Sequence, residues 1–95
     1  MSRLLSPIRV GDLVEIRSRV VYVGRTSMAV VAHVYAERVS TGVRRHTNEC
    51  WLTFVHLDDD GEPSPVPPLR LETAEDRLLN EIAAKRRQQA LTEKG

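Results

Sequence analysis

Three long segments with strand-like alternation, separated by glycine-containing turns, constrain this chain more than any other feature. The segments cover residues 13–23, 28–39 and 44–57, and the first is rich in the β-branched residues that favour strands. Gly24 and Gly42 lie in the two turns, where glycine tolerates the positive φ that tight hairpins demand. The pattern therefore predicts an antiparallel meander of three strands. Strands this long are roughly twice the usual length and suit a curved sheet.

The alternation within the segments predicts which faces are buried. One face of the first strand is mainly apolar and is expected to form core, whereas the charged opposite face is solvated or paired. The second strand reads as buried on one face and half buried on the other. The mainly apolar face consists of Val14, Ile16, Val20 and Tyr22 with Ser18 among them, and the opposite face carries Glu15, Arg17 and Arg19.

The remainder of the chain predicts a linker followed by a helix. The acidic turn 58–61 leads into four prolines within residues 63–68, which must run extended. Thr73 with Asp76 three residues later resembles a capping box, so a helix should begin there. Its predicted apolar stripe fades at Lys85, after which the last turns should fray. The stripe consists of Ala74, Leu78, Leu79 and Ile82.

Composition limits the class of protein. Ninety-five residues allow one domain, and 41% hydrophobic with 28% charged residues is typical of a soluble globular chain. The 14 basic and 13 acidic residues give a net charge of +1, which argues against a general nucleic-acid binder. No apolar run approaches the roughly 20 residues of a membrane span. We expect a cytoplasmic protein without nucleic-acid or membrane partners.

The residues that most often carry site chemistry are scattered. His33, His46 and His56 lie on separate stretches without metal-ligand spacing, so we predict no metal and no cofactor. Cys50 falls in an apolar alternation and reads as a packing thiol, since a reactive thiol needs an electropositive, partly exposed setting. Glu49 reads as an ionised residue at a subunit edge rather than as a catalytic base.

Three segments, taken in order, carry a family resemblance. They are residues 7–12 (PIRVGD), 23–28 (VGRTSM) and 52–55 (LTFV), followed by the acidic turn and the prolines. Over about residues 4–68 the chain resembles the bacterial and mammalian acyl-CoA thioesterases. The resemblance implies an α+β hotdog fold, in which a long curved antiparallel sheet wraps a central helix. It also implies edge-to-edge dimers that assemble into tetramers or hexamers, with substrate at the dimer interface.

The same resemblance implies that part of the family's site lies outside this chain. In the family pattern Met1 aligns within the strand that follows the central helix, so that helix and its catalytic acidic or amide residue are expected to be absent. We therefore expect a truncated or shortened relative: a partial hotdog domain over residues 1–68, with a C-terminal helix and tail over 69–95. Whether this chain alone is an enzyme stays open.

The resemblance also supplies candidate binding residues. It places Arg25, Thr26 and Ser27 near the coenzyme A chain, and an arginine followed by two hydroxyls suits an anionic ligand. Arg44 and Asn48 are possible additional contacts; Asn48 stands where the family usually carries a hydroxyl. The alternative is a solvated hairpin tip and a solvated strand end.

Three functions remain in competition. The first is hydrolysis of acyl-CoA to a free fatty acid and CoA. The second is a non-catalytic hotdog remnant that binds CoA or serves oligomerisation. The third is a small nucleic-acid binder built on Lys85, Arg86 and Arg87, against which the net charge argues.

Overall fold

The computed structural model describes the backbone of residues 2–94, and the side chains of residues 5–90. Four strands and one helix follow in chain order: β1 (Ser2–Leu4), β2 (Asp12–Val23), β3 (Ser27–Arg38), β4 (Arg44–Val55) and α1 (Ala74–Lys94). The strands form a single sheet in the order β1-β4-β3-β2. The predicted α+β class is confirmed. Met1 and Gly95, which end the two predicted regions, lie outside the described residues.

The sheet contains one more strand than the sequence predicted. β1 pairs antiparallel with β4, with Ser2 opposite Cys50 and Leu4 opposite Asn48. The three long strands of the meander are confirmed within one or two residues of their predicted ends. β1 was missed because a three-residue strand is too short to show an alternation of its own.

The described residues divide into two compact units. The first contains the residues up to 19 together with 30–52, and the second contains 20–29 together with 53 onwards. Each of the three long strands therefore contributes residues to both units. The proposed division of the chain at residue 68 stays a prediction.

Each unit has its own small core. In the first unit Val31 and Ala36 are buried, and Thr47 is buried with its hydroxyl donating to the carbonyl oxygen of Val34 at 3.1 Å. In the second unit the buried apolar residues are Val21 and Ala83.

The predicted core face of β2 is wrong for the described chain. Val14, Ile16 and Val20 are 44%, 66% and 37% exposed, whereas Val21 on the opposite face is 2% exposed. Alternation shows which residues share a face, but it does not show which face meets another element.

The turn between β3 and β4 closes on itself. Arg38 N–H donates to the carbonyl of Val43 at 3.0 Å, and Gly42 N–H donates to the carbonyl of Arg38 at 2.7 Å. Gly42 has a φ of 71°, a left-handed conformation that costs other residues energy. The expected role of glycine in a tight turn is confirmed here.

The proline segment, residues 63–68, is not a free linker. Leu57 and Pro63 form an isolated antiparallel bridge, and the acidic turn between them is closed by Asp58, whose Oδ1 accepts hydrogen bonds from the N–H groups of Asp60 and Glu62. The chain therefore turns back beside the end of β4.

Helix α1 begins with the predicted capping box. Thr73 Oγ1 accepts from Asp76 N–H at 3.0 Å, and Asp76 Oδ2 accepts from Thr73 N–H at 3.1 Å. The predicted stripe is only partly right, because Ala74 is exposed and Leu78 is 56% exposed. Helical geometry continues to Lys94. Among the described residues, no helix is long and apolar enough to cross a membrane.

Candidate functional site

The turn between β2 and β3, which we call the 24–27 turn, presents an uncommitted cation. Gly24 N–H donates to the carbonyl of Ser27 at 2.8 Å, so Arg25 and Thr26 form the tip. The Arg25 side chain is exposed, and it makes neither an ion pair nor a hydrogen bond with the described side chains. Thr26 is half-buried. A free guanidinium at a turn is available to an anionic ligand.

The backbone of this tip is tied to the end of β4 and to the proline segment. The carbonyl of Arg25 accepts from Val66 N–H at 3.0 Å, and that of Thr26 accepts from His56 N–H at 2.8 Å. Because both carbonyl oxygens have partners, the tip does not present free acceptors that would repel an anion.

His56 fastens the proline segment in place. Its Nδ1 lies 3.1 Å from the carbonyl oxygens of both Ser64 and Pro65, and its own carbonyl accepts from Ser64 N–H at 2.8 Å. Since carbonyl oxygens only accept, the hydrogen must sit on Nδ1. His56 thus holds the segment whose Val66 supports the tip.

Ser27 is held from the helix side. It is buried, and its hydroxyl accepts a hydrogen bond of 2.6 Å from Arg87 Nη1 of α1. The Arg87 guanidinium also lies over the Tyr22 ring, 5.5 Å from the ring centroid. The Ser27 hydroxyl hydrogen is still available as a donor, so a ligand contact by this side chain stays a prediction.

Gly24 lies against the Arg87 guanidinium, and its backbone conformation does not demand glycine. The glycines with positive φ are Gly11, Gly42 and Gly61, so the expectation of a positive φ at Gly24 is wrong. A Cβ at Gly24 would lie 2.9 Å from Arg87 Nη1 and 3.1 Å from its Cζ. The missing side chain makes room for the guanidinium.

Two further contacts fix α1 against β2. Asn80 Nδ2 donates to the carbonyl of Val21 at 2.9 Å, and Ala83 is 2% exposed. Asn80, Ala83 and Arg87 follow one another at helical spacing, so they share one face. That face bears a polar side chain at each end with a small residue between, so it carries none of the large apolar residues that predict a packed helix face.

The additional predicted residues, Arg44 and Asn48, belong to the other unit. Arg44 already has partners within the protein, because its guanidinium pairs with Glu15 and stacks over Tyr35 at 4.1 Å from the ring centroid. It borders a groove of about 270 Å³ that two carboxylates make unfavourable for phosphate. The groove is lined by Leu13, Glu15, Tyr35, Ala36, Glu37 and Arg44. Asn48 Oδ1 is buried and has no hydrogen-bond donor among the described residues.

Asp12 is ionised and paired, and therefore poorly suited to act as a base. Arg9 N–H and Arg45 Nη2 each donate to Oδ2 at 3.0 Å, and Arg38 Nε lies 3.2 Å from Oδ1. The Arg9 backbone hydrogen bond is the main cause that lowers the pKa of Asp12 below its usual 3.8; Arg45 and Arg38 add to it, while burial acts in the opposite direction. These contacts bind the start of β2 to β3 and β4.

His33 and His46 come together although they are distant in sequence. His33 Nδ1 lies 3.0 Å from His46 Nε2, and the Tyr35 ring lies 5.1 Å from that of His46. The sequence did not reveal this pair, because strand register decides which residues of β3 and β4 face each other. Within the described residues no group of three or more His, Cys, Asp or Glu could hold a metal ion. Cys50 is half-buried.

Arg87 and His56 are the residues of this site that the sequence did not point to. Arg87 reads as one charge in a solvated basic run, and His56 reads as an isolated histidine after a strand. The available signal was helical spacing, since Arg87 lies four residues after Ala83. For His56 there was no signal, because its partners are backbone carbonyls.

Comparison with known proteins relates the chain to thioesterases. The profile of the thioesterase superfamily matches residues 3–43. An uncharacterized acyl-CoA thioester hydrolase of Bacillus subtilis is 42% identical over 82 residues, which are 86% of this chain and 48% of that protein. The cytosolic acyl coenzyme A thioester hydrolase of the rat is 31% identical over 77 residues, which are 76% of this chain and 20% of that protein.

Solved structures show the same fold. A hexameric acyl-CoA thioesterase superimposes with a TM-score of 0.92 and 35% identity, covering 100% of this chain and 61% of that one. An acyl-CoA hydrolase from Bacillus cereus gives a TM-score of 0.87 and 34% identity, covering 99% of this chain and 57% of that one. The hotdog prediction is therefore confirmed. The chain spans about half the length of the Bacillus subtilis relative, at 48%, and of a Helicobacter pylori relative, Protein VdlD, at 47%.

Proposed function

Because this chain belongs to the acyl-CoA thioesterase family, we propose that it takes part in the hydrolysis of acyl-CoA thioesters and binds coenzyme A at the 24–27 turn. One observation carries the proposal: the turn holds the uncommitted Arg25 at its tip, while its backbone and Ser27 are fixed by β4, the proline segment and α1. A turn that needed only to reverse the chain would not require three outside supports.

The chemistry of the turn suits the phosphates of CoA. A guanidinium binds phosphate through paired N–H groups, and such charge-assisted hydrogen bonds are about twice as strong as neutral ones. The hydroxyls of Thr26 and Ser27 offer further donors. The support matters because a ligand pays less ordering entropy at a loop that is already fixed.

Hydrolysis also needs a carboxylate or amide to hold the attacking water and a dipole to polarise the carbonyl. We assign neither role to a described residue. Asp12 is held by Arg9, Arg45 and Arg38, and Glu15 is paired with Arg17 and Arg44. In our proposal the described residues bind the CoA half of the substrate.

A thiol-release assay over a panel of acyl-CoA esters tests the proposal, with this chain and a version extended upstream measured side by side. Arg25→Ala should raise KM or Kd for CoA esters about tenfold, the size expected from one lost charge-assisted hydrogen bond. Arg70→Ala is the matched control, because Arg70 is an exposed arginine of the same unit, 86% accessible at its side chain.

Each result of this assay has a meaning. Turnover by the extended version that weakens with Arg25→Ala and not with Arg70→Ala supports the proposal. Turnover unaffected by Arg25→Ala would reject the turn as the CoA site. Silence in both versions, with CoA still bound by the turn, would favour a non-catalytic CoA-binding protein.

Self-association is part of the proposal. Related structures are described as hexameric thioesterases, and Val14, Ile16 and Val20 leave an apolar face exposed on β2. We propose that copies of this protein associate as a dimer, tetramer or hexamer in the cytoplasm. A monomer by light scattering at micromolar concentration would contradict the assembly, and it would also weigh against a purely structural, oligomerising role.

A further inference from the structure

The basic run at the end of the chain contains one arginine that does not face solvent. Arg87 is half-buried, whereas Lys85 and Arg86 are exposed. Its guanidinium makes two contacts with the β2–β3 hairpin, the hydrogen bond to Ser27 Oγ and the face of Tyr22, and it occupies the space that a side chain at Gly24 would take.

We infer that Arg87 is a positioning residue for the CoA-binding turn, so that the C-terminal helix is a working part of the ligand site and not a tail. This inference rests on the proposed function, because it presumes that the 24–27 turn binds CoA. Arg87 would act through Ser27 and Gly24, the two ends of the turn, while Arg25 meets the ligand.

The buried hydroxyl of Ser27 depends on Arg87 for a hydrogen bond. Ser27 is 8% exposed, and a buried polar group without a hydrogen-bond partner costs free energy that folding rarely tolerates. With Arg87 removed, the Ser27 hydroxyl either stays buried without this donor or moves outward to find water. The second course displaces the turn.

The turn leaves room for this guanidinium at Gly24. A Cβ at Gly24 would come within 2.9 Å of Arg87 Nη1, so the end of the Arg87 side chain would have to shift. Since φ at Gly24 is not positive, backbone geometry does not demand glycine there. The close approach of the two residues supplies the reason.

The charge of Arg87 adds to that of the turn. Arg87 Nη1 donates to Ser27 Oγ at 2.6 Å, which brings a guanidinium to one end of the turn whose tip carries Arg25. Two positive groups at one turn attract an anion more strongly than one, even where only Arg25 touches it.

The test uses five variants of the whole chain, one of them Arg25→Ala, with CoA as the probe in equilibrium binding. Arg87→Ala should weaken CoA binding about tenfold, and Arg87→Lys should recover part of the loss, since lysine keeps the charge but lacks the planar fork. Gly24→Ala should also weaken binding, because the new methyl displaces the guanidinium while its charge is retained. Lys85→Ala, which removes an exposed charge of the same helix, should leave binding unchanged.

Hydrogen exchange of the free protein separates positioning from general instability. Arg87→Ala and Gly24→Ala should speed exchange of the amides in residues 24–27 and leave those of residues 40–43 unchanged. If Arg87→Ala fails to fold, Gly24→Ala and Arg87→Lys decide the question by the same two measurements.

The two proposals fail differently. Normal CoA binding by Gly24→Ala and Arg87→Ala, with binding weakened about tenfold in Arg25→Ala, would overturn the role of Arg87 and leave the proposed function intact. Normal binding by Arg25→Ala as well would overturn both. Weakened binding with turn exchange unchanged would contradict positioning through the turn.

Discussion

The two hairpin turns of the meander both reverse the chain, but they are stabilised by different kinds of contact. The 40–43 turn closes with its own backbone hydrogen bonds and a left-handed Gly42, and the flanking Val39 and Val43 are 71% and 55% exposed. The 24–27 turn contains no left-handed residue, and it is held by His56, Val66 and Arg87 from three other parts of the chain. The first turn is sufficient by itself. The second is supported beyond what chain reversal needs, as expected of a turn that must keep its shape for a ligand.

The largest expected effect is a loss of stability on truncating a buried valine, and its consequence for CoA binding should differ between the two units. Val21 and Val31 are both buried, at 2% and 1% exposure, so replacing either by alanine should cost about 2 kcal/mol in the free energy of unfolding. Val21→Ala should also weaken CoA binding, because Val21 lies beneath α1 next to the 24–27 turn. Denaturant unfolding and CoA titration of both variants check this. Equal loss of CoA affinity in the two would remove the distinction between the units.

The next effect tests whether the 40–43 turn is purely structural. Gly42→Ala forces a left-handed conformation on an alanine, which costs about 1 to 2 kcal/mol. The melting temperature should fall by several degrees, whereas the Kd for CoA should not change. Paired thermal melts and CoA titrations give both numbers. A weaker affinity for CoA would show that this turn, too, contributes to the site.

A smaller effect is expected at His56. His56→Ala removes the donor that holds the carbonyls of Ser64 and Pro65, and should weaken CoA binding about threefold to tenfold, since a net hydrogen bond contributes about 1 kcal/mol. His56→Asn is the control, because its amide can replace the Nδ1 donor, and it should restore most of the affinity. Identical Kd values for all three proteins would show that the proline segment does not support the turn.

The smallest effect concerns pH. The pKa of Asp12 is lower in the folded protein than its usual value of 3.8. Its ion pairs therefore stabilise the folded state fully at pH values above 3.8, and this stabilisation is lost as the pH falls through the lowered pKa. Asp12→Asn should lower the melting temperature by a few degrees at neutral pH and by progressively less below pH 3.8. Because Arg38 and Arg45 are partly exposed, they remain hydrated and limit the loss. A difference that grows on acidification would contradict the lowered pKa.

Much of the fold could be predicted from local sequence signals. The three long strands, the glycine turn at Gly42 and the Thr73–Asp76 capping box were predicted correctly, because each depends on neighbours within a few positions. The predicted core face of β2 failed, since burial of Val14 or Val21 depends on which element packs there. The hotdog fold came from the family resemblance, as periodicity alone gave only a long curved meander.

The residues of the candidate site also differ in how far the sequence predicts them. Arg25, Thr26 and Ser27 were named from their place in the VGRTSM segment, and the structure shows that their surroundings differ. The supporting residues were not predictable, because Arg87 is 60 positions from Ser27 and His56 binds backbone carbonyls that any sequence would provide. Long-range contacts of this kind carry no local pattern.

The central claim is that coenzyme A binds at the supported turn and not at the self-sufficient one. Hydrogen exchange followed by mass spectrometry, with and without saturating CoA, compares the two directly in one experiment. We predict that CoA slows exchange in residues 22–28 and leaves residues 38–44 unchanged. Equal protection of both turns, or protection of residues 38–44 alone, would contradict the account.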